Sequence, residues 1–276
     1  MTSNIDKLSF LDLKQTSDCF VISFVGGGGK TSTAFWLASY FRQCGLKVCL
    51  TTSTKMYYPD NSDIDYFISK DKKTRSSSNL SKYINSFKDI SDSSITFYFS
   101  GIIKSGQSIK AKNKVTGISL TEIRHLKRHS PFDVILIESD GAKGLALKAP
   151  AEHEPCLSEL SDTVIAVAGA EMFNQPVNRK QVHRWDEFAT ITDMCDGQTT
   201  GISELSKLID HPMGMFKSAP RGAKKIVQLN KMDKIADPDA FCSMASELLQ
   251  HTEQPDEVWL TSMQPEQTLI KRIVRE

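Results

Sequence analysis

The run VGGGGKTS at residues 25–32 constrains this chain more than any other stretch. The segment Val21–Val25 reads as a buried strand, and the residues after Thr31 carry apolar positions at helical spacing. The four glycines therefore fall at a strand-to-helix turn. Close packing of the helix would explain a glycine-rich turn, at an entropic cost for each glycine, but it gives no reason for the Lys30-Thr31 pair that follows.

In the pattern G-x-x-x-x-G-K-[ST], backbone N–H groups surround phosphates, the lysine meets the outer phosphates and the hydroxyl takes Mg²⁺. Gly29, Lys30 and Thr31 fill the last three positions. Phe24 stands where the first glycine belongs, so the turn is expected to begin at Gly26. The nucleotide-binding candidates are thus Gly26, Gly27, Gly28, Gly29, Lys30, Thr31 and Ser32.

A phosphate loop needs an acidic residue at the end of a neighbouring strand to hold the metal. The segment DVILIESDGAKG supplies four apolar residues, Val134–Ile137, and then Glu138 and Asp140. Thr31, Glu138 and Asp140 are the expected metal contacts, and the boundary of the strand decides which carboxylate faces the ion. With Lys143, which follows closely, Lys30, Glu138 and Asp140 are the catalytic candidates.

The segment KKIVQLNKMDKI places Asn230, Lys231 and Asp233 directly after another apolar strand, in the N-K-x-D order that guanine-binding GTPases use. Guanine presents N1–H and N2–H₂ on one edge, and one carboxylate accepts from both; adenine offers an acceptor at N1. The expected ligand is GTP with Mg²⁺, with ATP as the alternative nucleotide. The segment EVWLTSM near the end of the chain offers a further strand and a Thr-Ser turn against the base.

Strand-like runs recur at 19–25, 47–52, 64–69, 95–100, 133–138, 163–168, 225–229 and 257–261, with helical patterns between several of them. Such alternation predicts an α/β fold of the P-loop NTPase-like kind, a mainly parallel sheet with helices on both faces. A chain of 276 residues fits one such domain, with an irregular lobe at about 170–222. A short amphipathic helix is expected around Leu8, Phe10, Leu11 and Leu13, a serine-rich excursion at 74–94, and a solvated basic loop at 104–117.

The formal net charge of +1 supplies no field for nucleic acid or an acidic membrane. The six cysteines form no C-x-x-C pair and read as reduced thiols. Without a basic-then-apolar N-terminal stretch or an apolar run of membrane length, the expected location is the cytoplasm.

With these motifs assembled, the chain resembles the YqeC family of selenium-dependent hydroxylase accessory proteins. The resemblance rests on FVGGGGKTS, TTSTKMYYP, ESDGAKGLALKAPAEHEP, VHRWDEFATITDM and LNKMD, and so covers essentially the whole chain. More distantly, the order of glycine loop, E-S-x-G and N-K-x-D is similar to the GTPases that assist nickel insertion. The resemblance implies a role in maturing molybdenum-containing hydroxylases, with such a hydroxylase or its cofactor-handling proteins as partner; it implies no specific reaction.

Two further segments carry candidate anion contacts. Thr52, Thr54 and Lys55 end the second strand, where open α/β sheets bind ligands, although a polar strand end also satisfies its own backbone. Lys148 and His153 lie in KGLALKAPAEHEP, where the lysine suits an oxyanion and the histidine, with Glu152, Glu154 and Cys156, suits a cation. Pro150 and Pro155 also fit a plain surface loop. The functions in view are therefore an accessory GTPase, a nucleotide-dependent transferase, kinase or ligase acting on a small selenium- or molybdenum-cofactor-linked metabolite, and a nucleotide-gated binding module without catalysis.

Overall fold

The structure, a computed structural model, describes residues 19–59, 63–71, 87–104, 113–263 and 269–275. The helix expected around Leu8 to Leu13 lies outside them, as do much of the serine-rich stretch and the centre of the basic loop. In chain order the first elements are β1 (Phe20–Gly26), α1 (Lys30–Gln43), β2 (Val48–Thr52), β3 (Lys55–Tyr57), β4 (Tyr66–Ser69), β5 (Ile95–Phe99) and β6 (Gly101–Ile103). Next come β7 (Lys114–Thr116), α2 (Leu120–His129), β8 (Val134–Glu138), β9 (Leu147–Lys148), β10 (Thr163–Gly169) and β11 (Val182–His183). The remainder are α3 (Trp185–Thr192), α4 (Ile202–Asp210), β12 (Lys224–Asn230), α5 (Pro238–His251), β13 (Glu257–Thr261) and β14 (Leu269–Val274).

The fold is α/β, as the alternation of strands and helices predicts. Among the described residues nine strands form one mainly parallel sheet in the order β14-β13-β12-β10-β1-β8-β2-β5-β4. The eight strand-like runs of the sequence all become strands of this sheet. Their near-continuous burial explains why they are readable: Val134–Ile137 and all of β10 are buried, the signature of strands covered on both faces.

The chain divides into two compact units, one of residues 1–22 and 34–139, the other of 23–33 and 140–276. In the first, β2 pairs in parallel with β5 and with β8, where Thr52 lies opposite Glu138, and β4 pairs with β5. Cys49, Ile123, Leu126, Ile135 and Ile137 share its core. A capping box between Ser119 and Glu122 starts α2. A small antiparallel sheet, β3-β7-β6, completes this unit.

In the second unit β10, β12 and β13 run parallel in register, Gly169 opposite Asn230, and β14 returns antiparallel on β13. The stretch 170–222 carries β11, α3 and α4, and Trp185, Phe188, Ile191, Leu205 and Leu208 join the unit's core. Asp237 caps α5 from a position directly before Pro238, whose fixed φ suits the first helical turn. Among the described residues no helix is long and apolar enough to cross a membrane.

Candidate functional site

β1 ends at Gly26 and α1 starts at Lys30, so the glycines occupy the strand-to-helix turn expected of them. Gly26, Gly28 and Gly29 have φ of 91°, 85° and 138°, a region that L side chains rarely adopt. Space is equally restrictive. A Cβ on Gly26 would stand 2.3 Å from the Val167 carbonyl oxygen, and one on Gly29 would stand 2.2 Å from Nδ2 of Asn230. The N–H of Gly27 donates to the Val167 carbonyl (2.8 Å) and that of Gly28 to the Leu145 carbonyl (3.0 Å). Close packing thus accounts for the glycines themselves, whereas it leaves the Lys-Thr pair to be explained.

Lys30 opens a helix of 14 residues, whose N-terminal turn carries the positive end of the dipole. Its ammonium donates to the Gly26 carbonyl (2.5 Å) and stands 3.1 Å from Oδ1 of Asp140. Thr31 and Ser32 are exposed at the same turn. Asp140 is buried, and its Oδ2 accepts from the Gly26 N–H (3.0 Å), so the carboxylate is fastened directly to the loop. Of the two acidic candidates this is the one the second unit brings to the glycines. Glu138 ends β8 in the first unit, where its carbonyl accepts from the Thr52 hydroxyl (2.8 Å) and the Ser53 N–H (3.1 Å).

Behind Asp140 lies a buried chain of charges. Lys148 stands 2.9 Å from Oδ2 of Asp140 and 3.0 Å from Oε2 of Glu154, and donates to the Gly141 carbonyl at 2.7 Å. Burial would raise the Glu154 carboxyl, but the Lys148 charge and its hydrogen bond, with the Ala151 N–H and the Arg184 charge, hold it below its ordinary value. Lys148 has three ammonium protons and three acceptors, so the structure makes it a fixed internal cation.

The N-K-x-D segment meets the same loop from the other side. Nδ2 of Asn230 donates to the Gly28 carbonyl (2.8 Å), and its Oδ1 accepts from the Thr261 hydroxyl (3.1 Å). Gln228 joins the start of α1 to β13 by donating to the hydroxyls of Thr33 (2.9 Å) and Thr261 (2.8 Å). Lys231 adopts φ 68° and pairs with Glu171. Asp233 is exposed, and its Oδ1 accepts from the Ser262 hydroxyl at 2.8 Å, leaving the carboxylate held but open to a ligand. The Thr-Ser turn expected after the last parallel strand is therefore in contact with the aspartate that would read the base.

The remaining candidates divide. Thr52 spends its hydroxyl on the Glu138 carbonyl, and Thr54 and Lys55 follow it in the first unit, where the Gly117 N–H donates to the Thr54 carbonyl at 2.6 Å. Lys143 is exposed at φ 51°. His153 and Glu152 are exposed, Glu154 turns in to Lys148, and the Cys156 thiol, pushed up by burial and then by the Glu154 charge, turns back to the His153 carbonyl (3.7 Å). Of the two readings of 152–156, a cation site or a plain surface loop, the exposed Glu152 and His153 fit the loop, and among the described residues no group of three His, Cys, Asp or Glu side chains is placed to hold a metal. A turn closed by the Glu154 N–H on the Ala151 carbonyl (3.0 Å) leaves Glu152 and His153 exposed while Glu154 is buried.

Glu171 and Arg184 are site neighbours that sequence reasoning did not single out, whereas Ser262 belongs to the Thr-Ser turn expected beside the base. Arg184 lies in the motif VHRWDEFATITDM, but the sequence gives it no role apart from the other basic residues.

The family model described as YqeC protein matches residues 22–186, which include the glycine loop, Asp140, Lys148 and Arg184. The chain is also similar to a protein of Escherichia coli (strain K12) named "Uncharacterized protein YqeC", 36% identical over 267 residues, covering 96% of this chain and 95% of that one. The chain belongs to the YqeC family.

Proposed function

We propose that this chain is a P-loop nucleotide-binding protein that takes GTP with Mg²⁺ and hydrolyses it as an accessory GTPase in the maturation of selenium-dependent molybdenum hydroxylases. One arrangement carries the reading: Asn230 is tied by its side chain to the Gly28 carbonyl, while Asp233, three residues on, is steadied by Ser262 with its carboxylate exposed. The phosphate loop and the guanine-reading aspartate thereby share one frame. The glycine–lysine–threonine turn at the start of α1 suits phosphate oxygens, which helix N-termini and a lysine bind without further devices.

The donors fit a hard divalent cation. Thr31 and Asp140 offer oxygen ligands, as Mg²⁺ prefers, and Mg²⁺ would neutralise phosphate charge there. Asp140 now faces Lys30 and Lys148, so its carboxylate is balanced by two ammonium groups. Triphosphate oxygens compete for Lys30; once Lys30 turns to them, Asp140 keeps one cation and can accept another. Metal is therefore expected to enter with nucleotide rather than before it.

The test is calorimetric titration of the purified protein with GTP, ATP and CTP, each with and without Mg²⁺, followed by chromatography of the nucleotide. GTP bound at least tenfold more tightly than ATP and CTP, and released as GDP, is the expected result. No binding of any triphosphate would overturn the reading, and a nucleotide-derived product other than GDP and phosphate would replace the GTPase by a transferase.

A further inference from the structure

Arg184 follows β11, whose His183 lies opposite Lys148 in the β9–β11 pair, and it precedes α3 in a left-handed conformation, φ 64° and ψ 56°. A non-glycine residue is held there at a conformational cost, so the surrounding structure fixes its backbone. Its Nε stands 3.5 Å from Oε2 of Glu154, a distance of charge attraction without a hydrogen bond, and that nitrogen is buried with no acceptor. About a third of the side chain (35%) is exposed. The guanidinium is thus held beside Glu154 by charge and is partly open to solvent.

The charges around it do not balance. The ion pairs run Lys30–Asp140–Lys148–Glu154–Arg184, three cations to two carboxylates. The neighbouring imidazole of His183 is pushed down by burial and then by Lys148, Arg184 and Lys143, with Glu154 opposing only in part, so the local field is positive and the histidine adds no charge at neutral pH. Lys143, also left-handed at φ 51°, is exposed. A surplus of cations on a largely buried frame calls for an anion from outside.

We propose that Arg184, with Lys143, forms an oxyanion-binding site that continues the phosphate loop and takes a phosphoryl-type group in the bidentate manner of a guanidinium. The group is either the terminal phosphate of the bound nucleotide or the anionic head of a second ligand. This rests on nucleotide binding at the loop, and the experiment separates the two ideas.

The dissociation constants of GTP and GDP are measured for wild type, Arg184→Gln, Arg184→Lys and Lys143→Gln, and orthophosphate is titrated into each protein both free of nucleotide and saturated with GDP. Loss of tenfold or more in GTP affinity with GDP affinity unchanged in Arg184→Gln, partly restored in Arg184→Lys, assigns the site to the terminal phosphate. Loss confined to orthophosphate on the GDP-saturated protein assigns it to a second ligand. Wild-type values throughout, or an equal loss for GTP and GDP, overturn the proposal. Should wild type bind no nucleotide, the proposed function fails, and the nucleotide-free titration decides the oxyanion site alone: orthophosphate binding lost in Arg184→Gln retains it, and absent binding in wild type overturns it.

Discussion

The ammonium of Lys148 lies 2.9 Å from Oδ2 of Asp140, and none of its side chain is exposed. A lysine so placed cannot serve as a mobile contact for an incoming anion. Its three protons go to Asp140, Glu154 and the Gly141 carbonyl, so its effect on the loop is indirect: it fixes the carboxylate that the Gly26 N–H and Lys30 share. A buried charge pair is worth little against a well-packed apolar pair, but breaking one side of it leaves a charge without compensation.

Lys148→Met is therefore expected to destabilise the protein by about 3–5 kcal/mol, read from urea unfolding. Adding Asp140→Asn to that variant removes one stranded charge, and the double variant should be more stable than Lys148→Met alone. A double variant no more stable than the single one would mean that the two charges are not coupled.

Lys30→Ala should leave the fold in place, because Asp140 keeps Lys148 and the Gly26 N–H. It removes the cation nearest the glycine turn. Charge-assisted hydrogen bonds are worth about 1.5–3 kcal/mol each, so triphosphate affinity should fall tenfold or more. Equal calorimetric affinities for the variant and the wild type would show that the turn does not bind phosphate.

How much of this was legible follows from where each residue's partners lie. The parallel strands were readable because burial on both faces makes them continuous apolar runs, as in Val134–Ile137. β14 was not: Ile270, Lys271 and Arg272 mix apolar and charged residues along one edge strand that pairs on a single side. Gly29, Lys30 and Asn230 could be singled out because their types and spacing are local signals, and the structure places Asn230 against the glycine loop. The role of Lys148 was hidden, since Asp140 and Glu154 compete for it only once the segment between them turns back. Thr52 shows the same limit from the other side, its hydroxyl being used by a carbonyl 86 residues away.

Acid stability should depend on Glu257. This buried carboxylate accepts from Nε of Arg272 and Nε1 of Trp259, each at 2.8 Å, and stands 2.5 Å from the Lys224 ammonium. Burial would raise its carboxyl, but the hydrogen bonds of Arg272, Lys224 and Trp259 hold it below its ordinary value of 4.5. A folded value below the unfolded one contributes stability that is complete above the ordinary value and is lost as pH falls through the folded one. The thermal midpoint should therefore drop between about pH 5 and 3, and Glu257→Gln should flatten that drop while lowering the midpoint at neutral pH. An unchanged slope in the variant would remove Glu257 as its source.

The base preference gives the sharpest test, because Asp233 and Ser262 make separable contributions. One oxygen of Asp233 accepts from Ser262, yet each carboxylate oxygen has two lone pairs, so both remain able to accept from N1–H and N2–H₂ of guanine. Xanthine carries a carbonyl in place of the amino group, which a carboxylate repels. In Asp233→Asn the amide can donate to that carbonyl while its own oxygen accepts from N1–H, so preference should move from GTP to XTP, with each mismatch costing about 1–3 kcal/mol. Ser262→Ala loosens the carboxylate without changing its chemistry. It should weaken GTP by up to about tenfold, in keeping with the loss of one hydrogen bond, while leaving the order GTP over XTP intact. Dissociation constants of GTP, XTP and ATP for the three proteins, at one Mg²⁺ and salt concentration, decide the matter: an Asp233→Asn protein with no gain for XTP would show that the segment Asn230–Asp233 braces the loop through Asn230 and does not read guanine.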